Sequence, residues 1–196
     1  MSRSEQIRKL VVMSLLAALS VVLVYAIHLP LIPAASFLEY DPADIPILIA
    51  AFAYGPVAGI LLTIVVSIIQ GLTVSAASNV YGIIMHIIAT STLVLVASGI
   101  YCKFRSRLGG ILGLFLGTLS MGVIMMVANH FVTPHFTGWP VAEVDALLLP
   151  GILPFNLVKG GINSVVTFAV YKTVSRYLVH GESREKKPVS NVSNEA

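Results

Sequence analysis

Ile45–Cys102 reads IPILIAAFAYGPVAGILLTIVVSIIQGLTVSAASNVYGIIMHIIATSTLVLVASGIYC and holds no Asp, Glu, Lys or Arg. A soluble core has no need of so long an uncharged run, whereas hydrocarbon demands one. Gly55-Pro56 and the polar stretch Thr73–Asn79 break it. Spans are therefore expected at about 45–54, 56–72 and 80–101. Upstream, Leu10–Leu29 is an apolar run long enough to cross a bilayer. Ala34-Ala35-Ser36 after it suggests signal-peptide cleavage, but the run is too long for that, and a hydrophobic protein follows. Downstream, Gly109 to about Val132 and about Leu147 to Tyr177 complete the set. Between these two lies a loop holding Pro134, Pro140, Glu143 and Asp145.

Composition agrees. Of 196 residues, 57% are hydrophobic and 11% charged, against about 25% charged in ordinary soluble domains. Mean hydropathy is +0.91. A disordered chain, a disulfide-built module (Cys102 is the sole cysteine) and a nucleic-acid binder are excluded. The net charge of +3 is a matter of topology before it is one of partners.

The weakest span is 45–54, whose ten residues rise only about 15 Å. Positive-inside parity requires it. The basic amino terminus (Arg3, Arg8, Lys9) and the Lys103/Arg105/Arg107 cluster share a side only if four crossings separate them. The expectation is an all-α membrane protein with six transmembrane helices and both termini cytoplasmic. Residues 1–9 form the cytoplasmic amino terminus, 10–180 the membrane domain and 181–196 a disordered cytoplasmic tail. Eleven of the 12 basic residues then face the cytoplasm, while Glu39, Asp41, Asp44, Glu143 and Asp145 face outside.

Lys159 is the basic residue left over. It lies about three turns into the last span, with no acid in its own or a neighbouring span. An intramembrane lysine marks a ligand or transport site by default, with snorkelling to the outer interface as the bland alternative. Gln70, His86, Asn129, His130, Asn156 and Asn163 are the other polar residues of note within spans. Asn156 and Lys159 share a helix face. With Asn129 and His86 they describe a polar cluster near the outer end, beneath the acidic segment Glu39-Tyr40-Asp41-Pro42-Ala43-Asp44. Asp44 suits a helix cap or a ligand contact equally well, and Asp41 before Pro42 suits a turn. Glu39 and Tyr40 are expected at the outer mouth.

Ser14, Ala17 and Ala18 give helix 1 a small-residue face, and Gly109, Gly113 and Gly117 do the same for helix 5. Such faces allow close helix approach in lipid. Internal packing is the simpler reading for helix 5, whereas helix 1 could equally meet another subunit. Metal and catalytic readings fare worse. The histidines show no HxxxH spacing, and there is no GxSxG motif and no phosphate loop ending in GK[ST]. The chain cannot hydrolyse ATP itself. Apart from the outer acids it offers no buried carboxylate for coupling protons, so uphill transport would need a partner.

Asp41-Pro42-Ala43-Asp44-Ile45-Pro46, Phe52-Ala53-Tyr54-Gly55-Pro56-Val57-Ala58-Gly59 and Gly151-Ile152-Leu153-Pro154-Phe155-Asn156-Leu157-Val158-Lys159-Gly160 carry a family resemblance. Over about residues 8–178 the chain resembles the riboflavin-specific substrate-binding subunits (S components, the RibU family) of energy-coupling factor (ECF) transporters. The resemblance implies six helices and very tight capture of a vitamin from outside. It also implies docking on a transmembrane coupling subunit that carries two ABC-type ATPases. The helix 1 face (Ser14, Ala17, Ala18) would meet that subunit, and Glu39, Tyr40 and Asp41 would lie in a lid over the ligand. Asn129, Asn156 and Lys159 would hold the flavin, in a slot lined by Tyr81, Phe155 and other apolar groups. No cofactor or catalytic residue is implied. The family pattern has a polar or basic residue near Val66 and Ser67 and an asparagine near His86. Those departures leave open flavin mononucleotide, a flavin analogue or another heterocycle. A stand-alone carrier and an intramembrane enzyme using His86 or His130 remain as readings from other classes.

Overall fold

The computed structural model describes residues 3–32 and 37–178, with side chains as far as residue 171. Ala34-Ala35-Ser36 and the tail from 181 lie outside the described residues. α1 (Arg3–Ala26) begins inside the basic tract and stops before the expected Leu29 boundary. Pro30 explains the early stop, because proline lacks an N–H and biases the residue before it away from helix. Leu29–Pro30 (β1) instead pairs antiparallel with Glu39–Tyr40 (β2), Leu29 opposite Tyr40. Among the described residues this short ribbon is the one departure from an all-helical chain.

α2 (Asp44–Tyr54) and α3 (Pro56–Leu72) are separated by Gly55, whose φ of +93° suits glycine. Pro56 then opens α3, where its missing N–H costs nothing. The two helices fold closely back on each other: a Cβ on Gly59 would lie 2.6 Å from that of Ala51. α2 is the innermost element, buried continuously from Pro46 to Phe52 and packed by α1, α3, α4 and α7.

A 3₁₀ turn (Ala76–Ser78) leads into α4 (Asn79–Phe104), which forms the most extensive helix pair with α5 (Arg107–Thr137). Ser106 caps α5, its side chain accepting from the Gly109 N–H at 3.0 Å. Ser106→Ala should lower stability by about 0.5–2 kcal/mol, seen as a reduced thermal midpoint in detergent with ligand affinity unchanged. α5 outruns its expected end at Val132 and takes in Pro134. A proline in the last turn forfeits a single bond, and Gly138 closes the helix at φ +74° by donating to the Pro134 carbonyl. α6 (Val141–Leu147) passes through a π-turn (Leu148–Ile152) into α7 (Leu153–Leu178). The widened turn contains Pro150, so this proline does not interrupt the helical path from Val141 onward.

Among the described residues, four helical stretches are long and apolar enough to cross a membrane: Arg3–Ala26, Ala76–Phe104, Arg107–Thr137 and Val141–Tyr171. α2 and α3 are shorter and apolar. The surface is built for lipid. On α3, Val57, Leu61, Ile64 and Ile68 face outward while Thr63, Ser67 and Gln70 are buried. The main core runs through α2 with α4 and α5, and a smaller one joins Leu38 to Val144, Ile152 and Phe155. That second core ties the α1–α2 connection to the start of α7. Phe37 adds an edge-on contact with Trp139 at 6.0 Å.

Candidate binding site

Under the α1–α2 connection, helices α3, α4, α5 and α7 enclose a cavity of about 880 Å³ including its open mouth. Its walls are largely apolar, from Phe37, Leu38, Tyr81, Met85, Met121, Met125, Phe136 and Phe155. Polar groups enter it from the connection (Asp41) and from each helix: Gln70 of α3, His86 of α4, Asn129 of α5 and Lys159 of α7.

Lys159 is buried at 7% exposure. Its ammonium donates to Asp41 Oδ2 at 2.7 Å. The acid thus comes from the connection between α1 and α2 rather than from a span, which answers the expectation that Lys159 lacks a partner. Burial alone would push the Asp41 carboxyl up, but the Lys159 charge, the His86 ring and the hydrogen bonds from Lys159 and the Ala43 N–H together hold the group below the usual carboxylate range. Asp41 Oδ1 accepts from the Ala43 N–H at 3.1 Å, the turn expected before Pro42.

Asp44 departs from expectation. The cap position of α2 is Ala43, with no side-chain cap bond. Asp44 is fully buried, accepting from Thr90 Oγ1 at 2.6 Å and Asn163 Nδ2 at 3.0 Å. Asn163 Nδ2 also reaches the Asp41 carbonyl at 3.2 Å, and Asn163 Oδ1 accepts from the Tyr40 hydroxyl at 3.1 Å. Burial, reinforced by the Asp41 charge, raises the Tyr40 phenol and keeps it a donor. Two of the acids expected at the outer face thus prove to be buried. Asp41 and Asp44 are both interior, because polar partners from α4 and α7 satisfy them.

Of the residues expected at the site, Glu39, Asp41, Tyr81, His86, Asn129, Phe155, Asn156 and Lys159 line the cavity. Tyr40 and Asp44 stand behind its wall, bonded to Asn163. Asn129 and Asn156 each donate to a carbonyl one turn back, Met125 and Ile152 respectively. Asn129 also accepts from Thr133. His130 points elsewhere and meets Asp145 at 2.6 Å on the surface. Ser67 and His86 touch: Ser67 Oγ and His86 Nδ1 are 2.7 Å apart.

Sequence reasoning missed Gln70, His28 and the Met121/Met125 pair as wall residues. Gln70 had a signal, being an uncommon amide within a span, and its Nε2 lies 3.4 Å from Asp41 Oδ2. His28 had none. It reaches the cavity because Pro30 ends α1, and there it meets Glu39 at 2.9 Å. On helix 1, Ser14 and Ala18 are exposed while Ala17 is half-buried against the core.

A lipid-facing exterior around a largely apolar slot with a few buried polar groups defines a membrane-embedded binding protein for a small, partly polar molecule. Comparison with known proteins agrees with that class. The chain belongs to the family of ECF transporter substrate-specific components, which matches residues 8–171; it is a transporter subunit, not an enzyme. It is 29% identical over 181 residues to the riboflavin transporter RibU of Staphylococcus aureus, covering 89% of this chain and 94% of that protein. It is 30% identical to the riboflavin transporter FmnP of Bacillus subtilis, covering 85% and 91% respectively. A solved S component of a bacterial ECF transporter superposes with a TM-score of 0.77 at 30% identity, covering 89% of this chain and 99% of that one.

Proposed function

We propose that this chain captures riboflavin, or a closely related flavin, from the extracellular side and hands it to an ATP-driven coupling module. The observation that carries this reading is the slot itself: largely apolar walls into which Asn129, Asn156 and Lys159 all open. Buried ring carbonyls and sugar-alcohol hydroxyls need such partners. The relatives named as riboflavin transporters supply the ligand. Glu39, Tyr40 and Asp41 belong to the lid, and Tyr81 and Phe155 flank the ring. His86 and Asp44 complete the polar wall, Asp44 acting from behind it.

In this reading residues 10–180 cross the plasma membrane six times, α2 and α3 counting as crossings. Residues 1–9 and 181–196 are then cytoplasmic. Ser14 and Ala18, exposed on α1 with Ala17 beside them, receive the transmembrane coupling subunit, which carries two ABC-type ATPases. No cofactor or nucleic acid is involved. Coupling reorients the pocket only if the partner distinguishes its two states.

Purified protein should quench riboflavin fluorescence close to one-to-one. Absence of quenching by every flavin would remove the ligand assignment and leave the scaffold. The Ser67–His86 contact favours a second reading, the same scaffold with another vitamin or heterocycle. Mass spectrometry of the co-purified small molecule separates the two. Uptake by this subunit alone in proteoliposomes would instead support a stand-alone carrier.

A further inference from the structure

The polar wall is short of positive charge. Asp41 and Asp44 are 2% and 0% exposed, and Lys159 is the ammonium that faces them, bonded to Asp41. Asp44 accepts from neutral donors, Thr90 and Asn163. Two carboxylates against one ammonium leave a net negative charge inside a membrane protein, which a further proton would cancel.

Hydrogen-bond directions say where that proton sits. The Ser67 hydroxyl donates to the Thr63 carbonyl at 2.6 Å. Its oxygen therefore receives at the 2.7 Å contact with His86 Nδ1, and Nδ1 carries a hydrogen. At the far end of the ring, Nε2 is buried without a hydrogen-bond partner. It lies 3.9 Å from Asp41 Oδ1 and 3.8 Å from Asp44 Oδ1. As a bare lone pair Nε2 would face two anions; as an N–H it faces two acceptors. The charged groups around the ring are Asp41 from the α1–α2 connection, Asp44 from α2 and Lys159 from α7. α3 presents neutral Ser67 and Gln70, α5 presents neutral Met121, Met125 and Asn129, and the Tyr40 phenol lies beyond Asn163.

We infer that His86 binds a proton in the ligand-ready pocket and, as an imidazolium, is a positioning residue that fixes Asp41 and Asp44 across the lid and α2. Its charge state rests on this geometry alone. Its effect on affinity rests on the flavin reading given above. Capture is then linked to protons: as pH rises and His86 loses its proton, the carboxylates repel and the wall loosens.

The test uses full-length protein in nanodiscs, stripped of ligand, with ¹⁵N-labelled histidine. One histidine signal, assigned by its absence in His86→Asn, should show both ring nitrogens protonated at pH 7. A neutral Nδ1–H ring at pH 7 overturns the proposal. Riboflavin affinity of the wild type should fall at least about fivefold between pH 7 and 9, and that of Asp44→Asn should stay flat. A flat wild-type profile also overturns it. His86→Asn should lower the thermal midpoint, and Asp44→Asn added to it should recover most of the loss. Failure to recover counts against charge balance and for a packing role. If no variant binds riboflavin at any pH, the flavin reading fails, while the NMR result still decides the state of His86.

Discussion

Lys159→Ala should cost about 3–5 kcal/mol of stability, because it strands Asp41 as a buried carboxylate with no ammonium. Asp41 Oδ2 would keep only the long Gln70 contact at 3.4 Å. Thermal unfolding in detergent measures the loss, and riboflavin titration should show affinity weakened tenfold or more (about 1.4 kcal/mol per decade). The double variant Lys159→Met/Asp41→Asn separates the two effects. Removing both charges should restore most of the stability, since a neutral pair needs no compensation, but it should not restore binding. If binding returns as well, Lys159 acts only through Asp41. The pH dependence has a definite sign. Asp41 is held below its usual value in the folded protein, so the pair's contribution is complete above the unfolded carboxylate value of about 3.9. It is lost as pH falls through the depressed folded value, so the gap between wild type and Lys159→Ala should narrow in acid.

Gly113→Val should be nearly as damaging, by about 3 kcal/mol, at the upper end of ordinary overpacking. A Cβ at Gly113 would lie 2.5 Å from the Ala97 carbonyl oxygen. That atom is backbone, so relief requires α4 and α5 to move apart along their whole contact. Gly117 is similarly placed, 2.9 Å from the Leu93 carbonyl. Gly99 is the control: exposed on α4, with nothing within 4 Å of its would-be Cβ. Gly99→Ala should be neutral or stabilising by up to about 1 kcal/mol. Equal losses at Gly99 and Gly113 would refute close helix contact as the reason for the glycine row.

These two residues mark what the sequence could and could not convey. The row Gly109, Gly113, Gly117 was legible because helical spacing is local, but its internal role needed the contacts of Gly113 and Gly117 with the α4 backbone. Lys159 was legible as a charge without a topological place. Its partner was not, since 118 residues separate Lys159 from Asp41 and no periodicity links a loop to a distant helix. Asp44 failed for the opposite reason. Its position before Ile45 and Pro46 fits a local capping rule, but tertiary partners on α4 and α7 turn the side chain inward. The apolar run placed the end of α1 too late, at Leu29 instead of Ala26, and the loop expected at Pro134 placed the end of α5 too early. A terminal turn or a π-turn accommodates what a helix interior would not.

α2 carries a last consequence. Wrapped by α1, α3, α4 and α7 and buried from Pro46 to Phe52, this eleven-residue helix touches little but protein. Lipid thickness and composition act on the outer helices directly but reach the Asp41–Asp44 corner only through them. On the proposed reading, this corner of the pocket is insulated from the bilayer and can hold its geometry while the membrane's make-up drifts with temperature and growth.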